Sequence, residues 1–552
     1  MLEISGIYAT LAQGRGIHGC LAVGLLEAVR LFDCLPHEIS SIELHRKSID
    51  ARRKSDVHLV LSIRIKFCED IDEQAMVERV PERDRARVRA VDERRVAFPS
   101  RLDRAGAASP VVVGAGCAGL FCALALAEAG LEPILIERGD DAARRRESIE
   151  RFCATRVLDP ESNIQFGLGG AGTFSDGKLT TGTKNPSHRL ILETLVSCGA
   201  PREILWDAKP HIGSDVLPGV VERIVERIRD LGGTVRFRTK LTDIERVRDG
   251  SVRAITVARR RDDGRVREER IDCNRLVLAC GHSARSVFEL LEHRGFELER
   301  KTFAMGVRIE HPQRLIDRAQ YGPSADNPAL GAAPYKLVAR PAGGRSVFSF
   351  CMCPGGEVVA AASEPEGVVT NGASELARAG VNANAALLVN VTPEDMPGDS
   401  PLAGVALQRR CEQAAFRAGG GDYHAPAQLL ADFLAKTPST GASGVAPTYP
   451  LGVAWTALDG LLPAYVTETL REGIPLLARK LRGFDLPDAV LTGVETRSSS
   501  PVTVVRDGTC QALGARGVYP CGEGAGYAGG IMSAAADGIR CAEALIASID
   551  QR

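Results

Sequence analysis

Several features that would indicate particular functions are scarce or absent in this sequence. Its 552 residues include two tryptophans, aromatic residues make up 5%, and the formal net charge is −1. A chain this close to neutral has no overall field to attract nucleic acid or a membrane surface. Cys-x-x-Cys and His-Glu-x-x-His motifs and Cys/His quartets are absent, so the sequence predicts no metal site.

Signals for secretion or membrane insertion are also missing. Residues 1–16 contain no basic segment followed by an apolar core, so we expect no signal peptide. Fifteen cysteines, an odd number in apolar contexts, indicate reduced thiols rather than a disulfide framework. Residues 110–127 are mostly apolar, but breaks in helical propensity disfavour a membrane span. We therefore expect a cytoplasmic protein without a membrane partner.

The strongest functional signal lies in residues 111–139, which read VVVGAGCAGLFCALALAEAGLEPILIERG. Gly114 permits a tight strand-to-helix turn, Gly116 lets a pyrophosphate approach, and Gly119 lets helix and strand pack closely. Helical N–H groups then face the phosphates. Glu137 follows at the spacing of an acid that binds a ribose hydroxyl. The segment predicts a dinucleotide-binding βαβ unit, with an unliganded βαβ unit as the alternative.

A late segment favours a flavin over a nicotinamide. Residues 518–531 read VYPCGEGAGYAGGI, ending a strand before an alanine-rich helix predicted over 532–548. Gly522 beside Glu523 suits a ribityl or phosphate-side contact. Gly529 and Gly530 place bare amides at a helix N-terminus, where they can bind a flavin carbonyl and stabilise negative charge on the reduced ring.

Together these segments resemble the FAD-binding fold of glutathione-reductase-like flavoproteins. The glycine-dense residues 163–179 are similar to a second loop that wraps the pyrophosphate and flavin in that fold. With residues 209–215, 493–501 and 47–52, the chain resembles a family of largely uncharacterised FAD-dependent dehydrogenases. That family is related to BaiN-like flavoproteins and carries an extra N-terminal domain. Thr503 departs from it, because the family usually has a basic residue there.

The resemblance implies FAD as the cofactor and a set of residues that contact it. For the ADP half these are Gly114, Gly116, Ala118, Gly119, Glu137 and Arg138, with a backbone contact from Leu241 to adenine. In the second loop and after a later strand they are Gly169, Gly170, Ser175, Gly177, Lys178, Ala279 and Gly281. For the flavin end they are Gly522, Glu523, Gly529, Gly530 and Ile531.

Three polar residues are the leading catalytic candidates. Flavin carries the redox step, while the protein supplies orientation and an acid or base for the coupled proton. Lys178 lies in the loop expected to approach the flavin, where it serves the reaction or contacts a phosphate. Glu495 and Arg497 alternate along a predicted strand and share one face. There they bind substrate or form a structural ion pair.

Two further candidates receive structural interpretations. His282 follows a predicted buried strand, and we expect it to be a hydrogen-bonded structural histidine. Cys351 and Cys353 are predicted to lie on a strand. Because thiol–disulfide chemistry usually employs Cys-x-x-Cys at a helix N-terminus, we expect no redox role for this pair.

The predicted fold class is α/β. We expect a Rossmann-like FAD-binding domain of glutathione-reductase type, an inserted α+β substrate or cap domain, and a small ferredoxin-like α+β N-terminal domain. The expected boundaries are 1–98 for the N-terminal domain with a charged linker, 105–290 and 491–552 for the FAD-binding domain, and 291–490 for the insertion. Residues 45–54 are predicted to form a basic hairpin turn, and residues 79–104 a charged helix or linker.

The sequence thus predicts an FAD-dependent oxidoreductase that transfers hydride between flavin N5 and a small organic substrate, with a C–C bond as one reaction site. NADH or NADPH as electron donor stays open, because no second Gly-x-Gly-x-x-Gly unit is present. The alternatives are an FAD-dependent monooxygenase and a flavin-dependent RNA-modifying or RNA-binding protein. A hydrolase is disfavoured, since Arg285 replaces the second glycine of a nucleophile elbow. We expect no nucleic-acid partner, and a monomer or homodimer.

Overall fold

The computed structural model describes residues 1–92, 96–100 and 108–550. The chain contains a five-stranded parallel sheet flanked by helices, a four-stranded antiparallel sheet and a seven-stranded, mostly antiparallel sheet, which confirms the predicted α/β class. Within these ranges no helix combines the length and apolar character that crossing a bilayer requires.

The N-terminal unit is a four-stranded antiparallel sheet covered by helices. Its elements are β1 (Leu2–Ala9), α1 (Gly16–Phe32), β2 (Ile39–Asp50), β3 (His58–Phe67), α2 (Glu73–Arg79), α3 (Glu82–Arg85) and β4 (Val88–Ala90). The strand order β2-β3-β1-β4 is that of a ferredoxin-like βαββαβ unit. Helix α1 turns a stripe of small and apolar residues, including Gly24 and Ala28, toward this sheet.

Two predictions about this unit were wrong. Within the basic segment 45–54, the residues up to Asp50 belong to strand β2. This strand continues to pair with β3 as far as the Asp50–His58 pair. The charged segment 79–104 is not simply a helix or linker, since its residues Val88–Ala90 pair with β1 as the fourth strand. Burial of Val88 on the sheet explains the strand. Residues 93–95 and 101–104 of that segment lie outside the described residues.

The dinucleotide unit occupies the next part of the chain. Its elements up to residue 293 are β5 (Val111–Val113), α4 (Cys117–Glu128), β6 (Ile134–Ile136), α5 (Ala142–Thr155), α6 (Ser187–Ser197), α7 (Leu217–Asp230), β7 (Thr234–Arg236), β8 (Thr239–Arg246), β9 (Val252–Arg260), β10 (Val266–Asp272), β11 (Leu276–Leu278) and α8 (Arg285–His293). Strands β8, β9 and β10 form an antiparallel meander. Helix α4 is apolar on all sides, as a fully buried helix requires.

The inserted region is built around a seven-stranded sheet. Its elements are β12 (Leu298–Arg300), β13 (Phe303–Pro312), α9 (Gln313–Tyr321), β14 (Val338–Ala339), β15 (Val347–Cys353), β16 (Glu357–Ala360), β17 (Thr370–Ala373), β18 (Asn382–Val391), α10 (Ala403–Ala418), β19 (Ala425–Leu429), α11 (Leu430–Ala435), β20 (Val453–Trp455), α12 (Ala464–Ala478) and β21 (Val490–Glu495). The strand order is β14-β15-β18-β13-β21-β19-β20.

The expected boundary at 490/491 does not coincide with this sheet. Strand β21 pairs with β13 and β19, so the sheet of the inserted region extends to Glu495. The chain then returns to the dinucleotide unit through β22 (Val502–Val504), β23 (Val518–Pro520) and α13 (Ile531–Asp550). The parallel sheet is completed in the order β23-β11-β5-β6-β7. Helix α13 packs closely on α4, where a Cβ at Gly538 would lie 2.2 Å from the Ala118 carbonyl oxygen.

Candidate functional site

A cavity of about 740 Å³ lies where the parallel sheet meets the seven-stranded sheet. Its volume is within the usual range for small-molecule and cofactor sites. The residues that follow β5, β6, β11 and β23 line one side, at the carboxyl ends of the parallel strands. Open α/β sheets bind ligands at this edge. Side chains from β15 and β21 line the other side.

The turn after β5 has the geometry that a dinucleotide's phosphates require. Gly114 has φ 99°, and a Cβ there would come within 2.4 Å of the Ala279 carbonyl oxygen. Gly119 packs even more tightly, since its Cβ would lie 1.8 Å from the Gly114 carbonyl oxygen. Gly116 precedes α4 without a side-chain cap. The first amides of α4 therefore remain available to an anion.

Glu137, at the end of β6, connects the fingerprint turn to the second loop. Its carboxylate accepts hydrogen bonds from the backbone N–H groups of Ala115 at 2.8 Å, Gly139 at 2.9 Å and Gly167 at 3.0 Å. Neighbouring Arg138 lies with its guanidinium 3.9 Å from the Phe166 ring centre. Glu137 therefore organises the site through backbone groups, and its side chain also lines the cavity.

The glycine-dense loop 163–179 is held by a buried arginine that sequence reasoning missed. The Arg145 guanidinium donates to the carbonyl oxygens of Asn163, Ile164, Leu168 and Gly170 at 2.6 to 2.9 Å. Burial lowers the pKa of Arg145 to about 9. No motif surrounds it in the sequence. Its helix, α5, begins several residues after the fingerprint, and only the fold brings its side chain to the loop.

Nearly all predicted cofactor contacts line this cavity. The exceptions are Gly119, which is packed inside the turn, and Gly522. The residues that do line it are Gly114, Gly116, Ala118, Glu137, Arg138, Gly169, Gly170, Ser175, Gly177, Lys178, Leu241, Ala279, Gly281, Glu523, Gly529, Gly530 and Ile531. Burial raises the pKa of Glu523 to about 7.

Gly522 belongs to a buried polar cluster below the cavity wall. Its backbone N–H donates to Asp537 at 2.8 Å, and Asp537 also accepts from Arg506 at 2.6 Å. Cys521, Asp537 and Cys541 converge there closely enough to hold a metal ion. Arg506 already occupies this position, however, since its guanidinium also lies 3.3 Å from the Cys541 sulfur.

Lys178 belongs to a charged group on the cavity wall. Its Nζ lies 3.2 Å from Asp176, and Arg378 donates to the same carboxylate at 2.6 and 3.0 Å. Burial opposes ionisation of Asp176, but Lys178 and Arg378 outweigh it and lower its pKa. Sequence reasoning missed Asp176 and Arg378. They are 202 residues apart, and no local pattern relates them.

Glu495 and Arg497 both line the cavity, but they do not form an ion pair with each other. Glu495 ends β21 and pairs with Arg308 of the neighbouring strand β13 at 2.9 Å. Arg497 lies beyond the strand and pairs with Glu412 at 2.7 Å. Burial raises the pKa of Glu495 to about 7, although Arg308 favours the ionised carboxylate. Glu495 is thus an acid or base suited to neutral pH.

His282 lines the cavity beside two buried guanidinium groups. Burial, with Arg497 and Arg285, lowers its pKa to about 4, so the ring is neutral. Ser283 donates to Gln165 at 2.9 Å and lies 3.2 Å from the His282 Nδ1 atom. Because the Ser283 hydroxyl donates to an amide oxygen, it is not an activated nucleophile. This agrees with the expectation that a hydrolase is disfavoured.

Two family descriptions match this chain. A model described as "FAD binding domain" covers residues 109–146, which hold the fingerprint turn and Glu137. A model described as "FAD-dependent protein, C-terminal domain-like" covers residues 302–498, which hold most of the seven-stranded sheet. A protein of Clostridium beijerinckii, described only as uncharacterized, is 45% identical over 514 residues, 93% of each chain. The chain belongs to the FAD-dependent oxidoreductase family.

Comparison of this FAD-dependent oxidoreductase with solved structures gives matches at low identity and low TM-score. The glycerol-3-phosphate dehydrogenase of Bacillus halodurans, complexed with FAD, matches 80% of this chain and 65% of its own, at 10% identity and a TM-score of 0.36. A geranylgeranyl bacteriochlorophyll reductase-like protein of Thermoplasma acidophilum matches 80% and 79%, at 11% identity and 0.35. Because these scores are low, we assign the family from the sequence matches alone.

The described residues fit FAD as the cofactor. A pyrophosphate and a ribose bind to a tight glycine turn, a free helix N-terminus and an acid after the next strand. This structure has all three: the left-handed turn at Gly114, the uncapped N-terminus of α4 and Glu137 after β6. At the other end of the cavity, Gly529 and Gly530 precede α13 and line the wall. Flavin supplies reversible two-electron chemistry when bound.

Proposed function

We propose that this flavoenzyme transfers hydride between flavin N5 and a small organic substrate, with a C–C bond as the reaction site. The arrangement of Glu495 supports the proposal most directly. It is a carboxyl group on the cavity wall whose pKa burial raises to about 7. Hydride transfer at carbon requires a partner that gives or takes the neighbouring proton, and a group that titrates near neutral pH does this best.

The cavity's charges suggest how a substrate would be held. Arg378 and Lys178 share the single carboxylate of Asp176. Arg497, which pairs with Glu412, is a third cation on the wall. A substrate with a carboxylate or another anionic group suits this environment. Lys178 and Arg497 would orient it, while Glu495 exchanges the proton.

We further propose positions for the two halves of FAD. The ADP half lies along Gly114, Gly116, Glu137 and Arg138, with Leu241 at the adenine, and the flavin end lies at residues 523–531. The supporting observation is that one continuous cavity reaches both groups and also the charged side chains. NADH or NADPH would approach from the open side of the cavity, over the flavin.

An anaerobic visible spectrum of the purified protein tests the proposal. We expect an oxidised flavin band that bleaches with NADH, with NADPH or with a saturated, carboxylate-bearing substrate. Bleaching with one nucleotide identifies the donor. A persistent band with both nucleotides directs the search to organic donors. Absence of flavin, even after reconstitution with FAD, would contradict the proposed function.

A further inference from the structure

Strand β15 is distorted where it forms part of the cavity wall. Cys351 has φ 39°, in the left-handed region that residues other than glycine rarely adopt. The pairing of β15 with β18 shifts register between Phe350 and Cys353. Bulges of this kind re-aim side chains and are frequent beside active sites. The distortion therefore directs attention to the two cysteines that it contains.

The bulge brings two thiols together at the cavity. The Cys353 thiol donates to the Cys351 carbonyl oxygen at 3.3 Å, and the two side chains are close enough to shift each other's pKa. Cys351 is half-buried and lines the cavity, whereas Cys353 is fully buried beside it. One thiol is thus reachable from the cavity, and the second lies next to it on the same bulge. A dithiol needs this arrangement to close a disulfide.

Two cations adjoin the thiol pair. The Cys353 sulfur lies 3.8 Å from Lys178 Nζ and 3.8 Å from an Arg308 guanidinium nitrogen. Neighbouring cations favour a thiolate. Interaction with the Cys353 side chain lowers the pKa of Cys351 to about 5, and Lys178 and Arg308 act in the same direction. The same interaction raises the pKa of Cys353. At neutral pH the pair therefore holds one thiolate and one thiol.

Other cysteines on the cavity wall lack this character. Cys117 and Cys280 also line the cavity, but burial raises the pKa of each to about 12. They remain protonated thiols, which are poor nucleophiles. Cys521 also lines the cavity and has Cys541 beside it, but burial, opposed by a hydrogen bond with Cys541, raises the pKa of Cys521 to about 11. The Cys351–Cys353 pair is thus distinguished from these cysteines by charge.

Cys351 also lies near the end of the cavity assigned to the flavin. Burial raises the pKa of Glu523 and of Glu495, and the negative charge of Cys351 raises both further. Such coupling requires proximity, because charge interactions weaken with distance. Glu523 belongs to the segment that we propose holds the flavin end. Cys351 therefore lines the same cavity as Glu523 and the segment proposed to hold the flavin end.

We propose that Cys351 and Cys353 are a redox-active dithiol that exchanges two electrons with the flavin. This inference rests on the flavin position proposed above. On oxidation, the Cys351 thiolate and the Cys353 thiol form one S–S bond, and the Cys353 S–H bond breaks. Both electrons and that proton pass to the oxidised flavin. On reduction, the disulfide accepts two electrons and one proton and returns to thiolate and thiol.

The two-electron capacity of the pair provides a direct test. Holoenzyme is oxidised with ferricyanide, desalted, and titrated anaerobically with dithionite. Because a disulfide is a two-electron couple, wild type should accept about four electrons per flavin, against about two for Cys351→Ser and Cys353→Ser. The control Cys68→Ser, on the N-terminal unit, should accept about four. Uptake of about two electrons by wild type would overturn the proposal without any reference to the variants.

Mass spectrometry after differential alkylation supplies a second readout. In the oxidised holoenzyme the peptide with both cysteines should resist alkylation, and light-driven reduction of the flavin should make both sulfurs reactive. The same illumination of oxidised apoprotein should leave the disulfide intact. A preparation without flavin would contradict the proposed function. A flavin-bound preparation whose two thiols stay alkylatable throughout would contradict the dithiol alone.

Discussion

Arg308 and Glu495 face each other across β13 and β21, with a guanidinium nitrogen 2.9 Å from a carboxylate oxygen. Arg308 is fully buried, and Glu495 is 2% exposed. Arg308 also donates to Asn384 and to the Cys351 carbonyl oxygen at 2.8 Å, so it contacts both the proposed acid–base group and the dithiol strand. Substitutions around this pair should therefore affect chemistry more than cofactor binding.

Glu495→Gln should lower turnover by about 10²- to 10⁴-fold, the usual contribution of a general acid or base. Flavin content, measured from the visible spectrum, should stay near that of wild type, because Glu495 is placed at the substrate end. Glu468→Gln, an exposed glutamate, is the matched control. Full activity in the Glu495 variant would remove it from the reaction.

The same carboxyl group should influence stability as a function of pH. Its folded-state pKa of about 7 lies above the usual 4.5, so the folded protein binds more protons than the unfolded chain between these values. The free energy of unfolding that protonated Glu495 contributes is thus fully present below about pH 4.5 and is lost as pH rises through about 7. Urea denaturation from pH 5 to 8 should show a shallower decline in Glu495→Gln. Identical slopes in the two proteins would contradict the raised pKa.

Gly119→Ala should yield protein without flavin. A Cβ at this position would lie 1.8 Å from the Gly114 carbonyl oxygen, so α4 must move away from the turn that binds the phosphates. Bound FAD, released by heat and quantified by chromatography, measures the effect. Gly441→Ala is the control, because nothing lies within 4 Å of its added Cβ. A Gly119 variant with a full complement of FAD would contradict the packing.

Glu137→Ala should weaken FAD binding by at least about tenfold, which corresponds to about 1.4 kcal/mol. The substitution leaves three backbone N–H donors without their acceptor, and each buried unsatisfied donor costs about 1 to 3 kcal/mol. Fluorescence titration of apoprotein with FAD measures the change. The exposed Glu147→Ala, on α5, should bind like wild type.

Glu412→Gln should destabilise the protein by about 3 to 5 kcal/mol, because it leaves the buried Arg497 without its ion-pair partner and leaves Arg285 with Glu364 alone. Glu289→Gln, which breaks a partly exposed pair with Arg409, should cost about 0 to 1 kcal/mol in the same urea experiment. Burial opposes ionisation of Glu412, but the two arginines hold its pKa well below 4.5. The stabilisation should therefore be present above pH 4.5 and be lost in more acidic solution.

Local sequence was sufficient where a single segment carries both the shape and the chemistry. The turn from Gly114 to Gly119 depends on conformational freedom and close packing within a few residues, so its function was readable directly. The apolar strand before this turn and the helix after Gly530 were predicted for the same reason. The edge strand Val88–Ala90 was missed, because its charged residues suit a linker and only pairing with β1 makes it a strand.

The charged partners were beyond local prediction. Alternation along a strand correctly placed Glu495 on the cavity wall but suggested Arg497 as its ion-pair partner. The actual partner, Arg308, is 187 residues away in sequence. Asp176 and Arg378 form a second such pair, and Arg145 acts on a loop that follows its helix.

By itself the sequence determined the cofactor class and the α/β architecture, because the glycine turn, the apolar strands and the acid after them act over short distances. The tertiary structure decided which charges meet, how far each pKa moves, and that two thiols on a bulged strand lie beside Lys178 and Arg308. These properties depend on burial and on distances of a few ångströms between remote segments. Neither quantity is present in the order of residues until the sheets have packed.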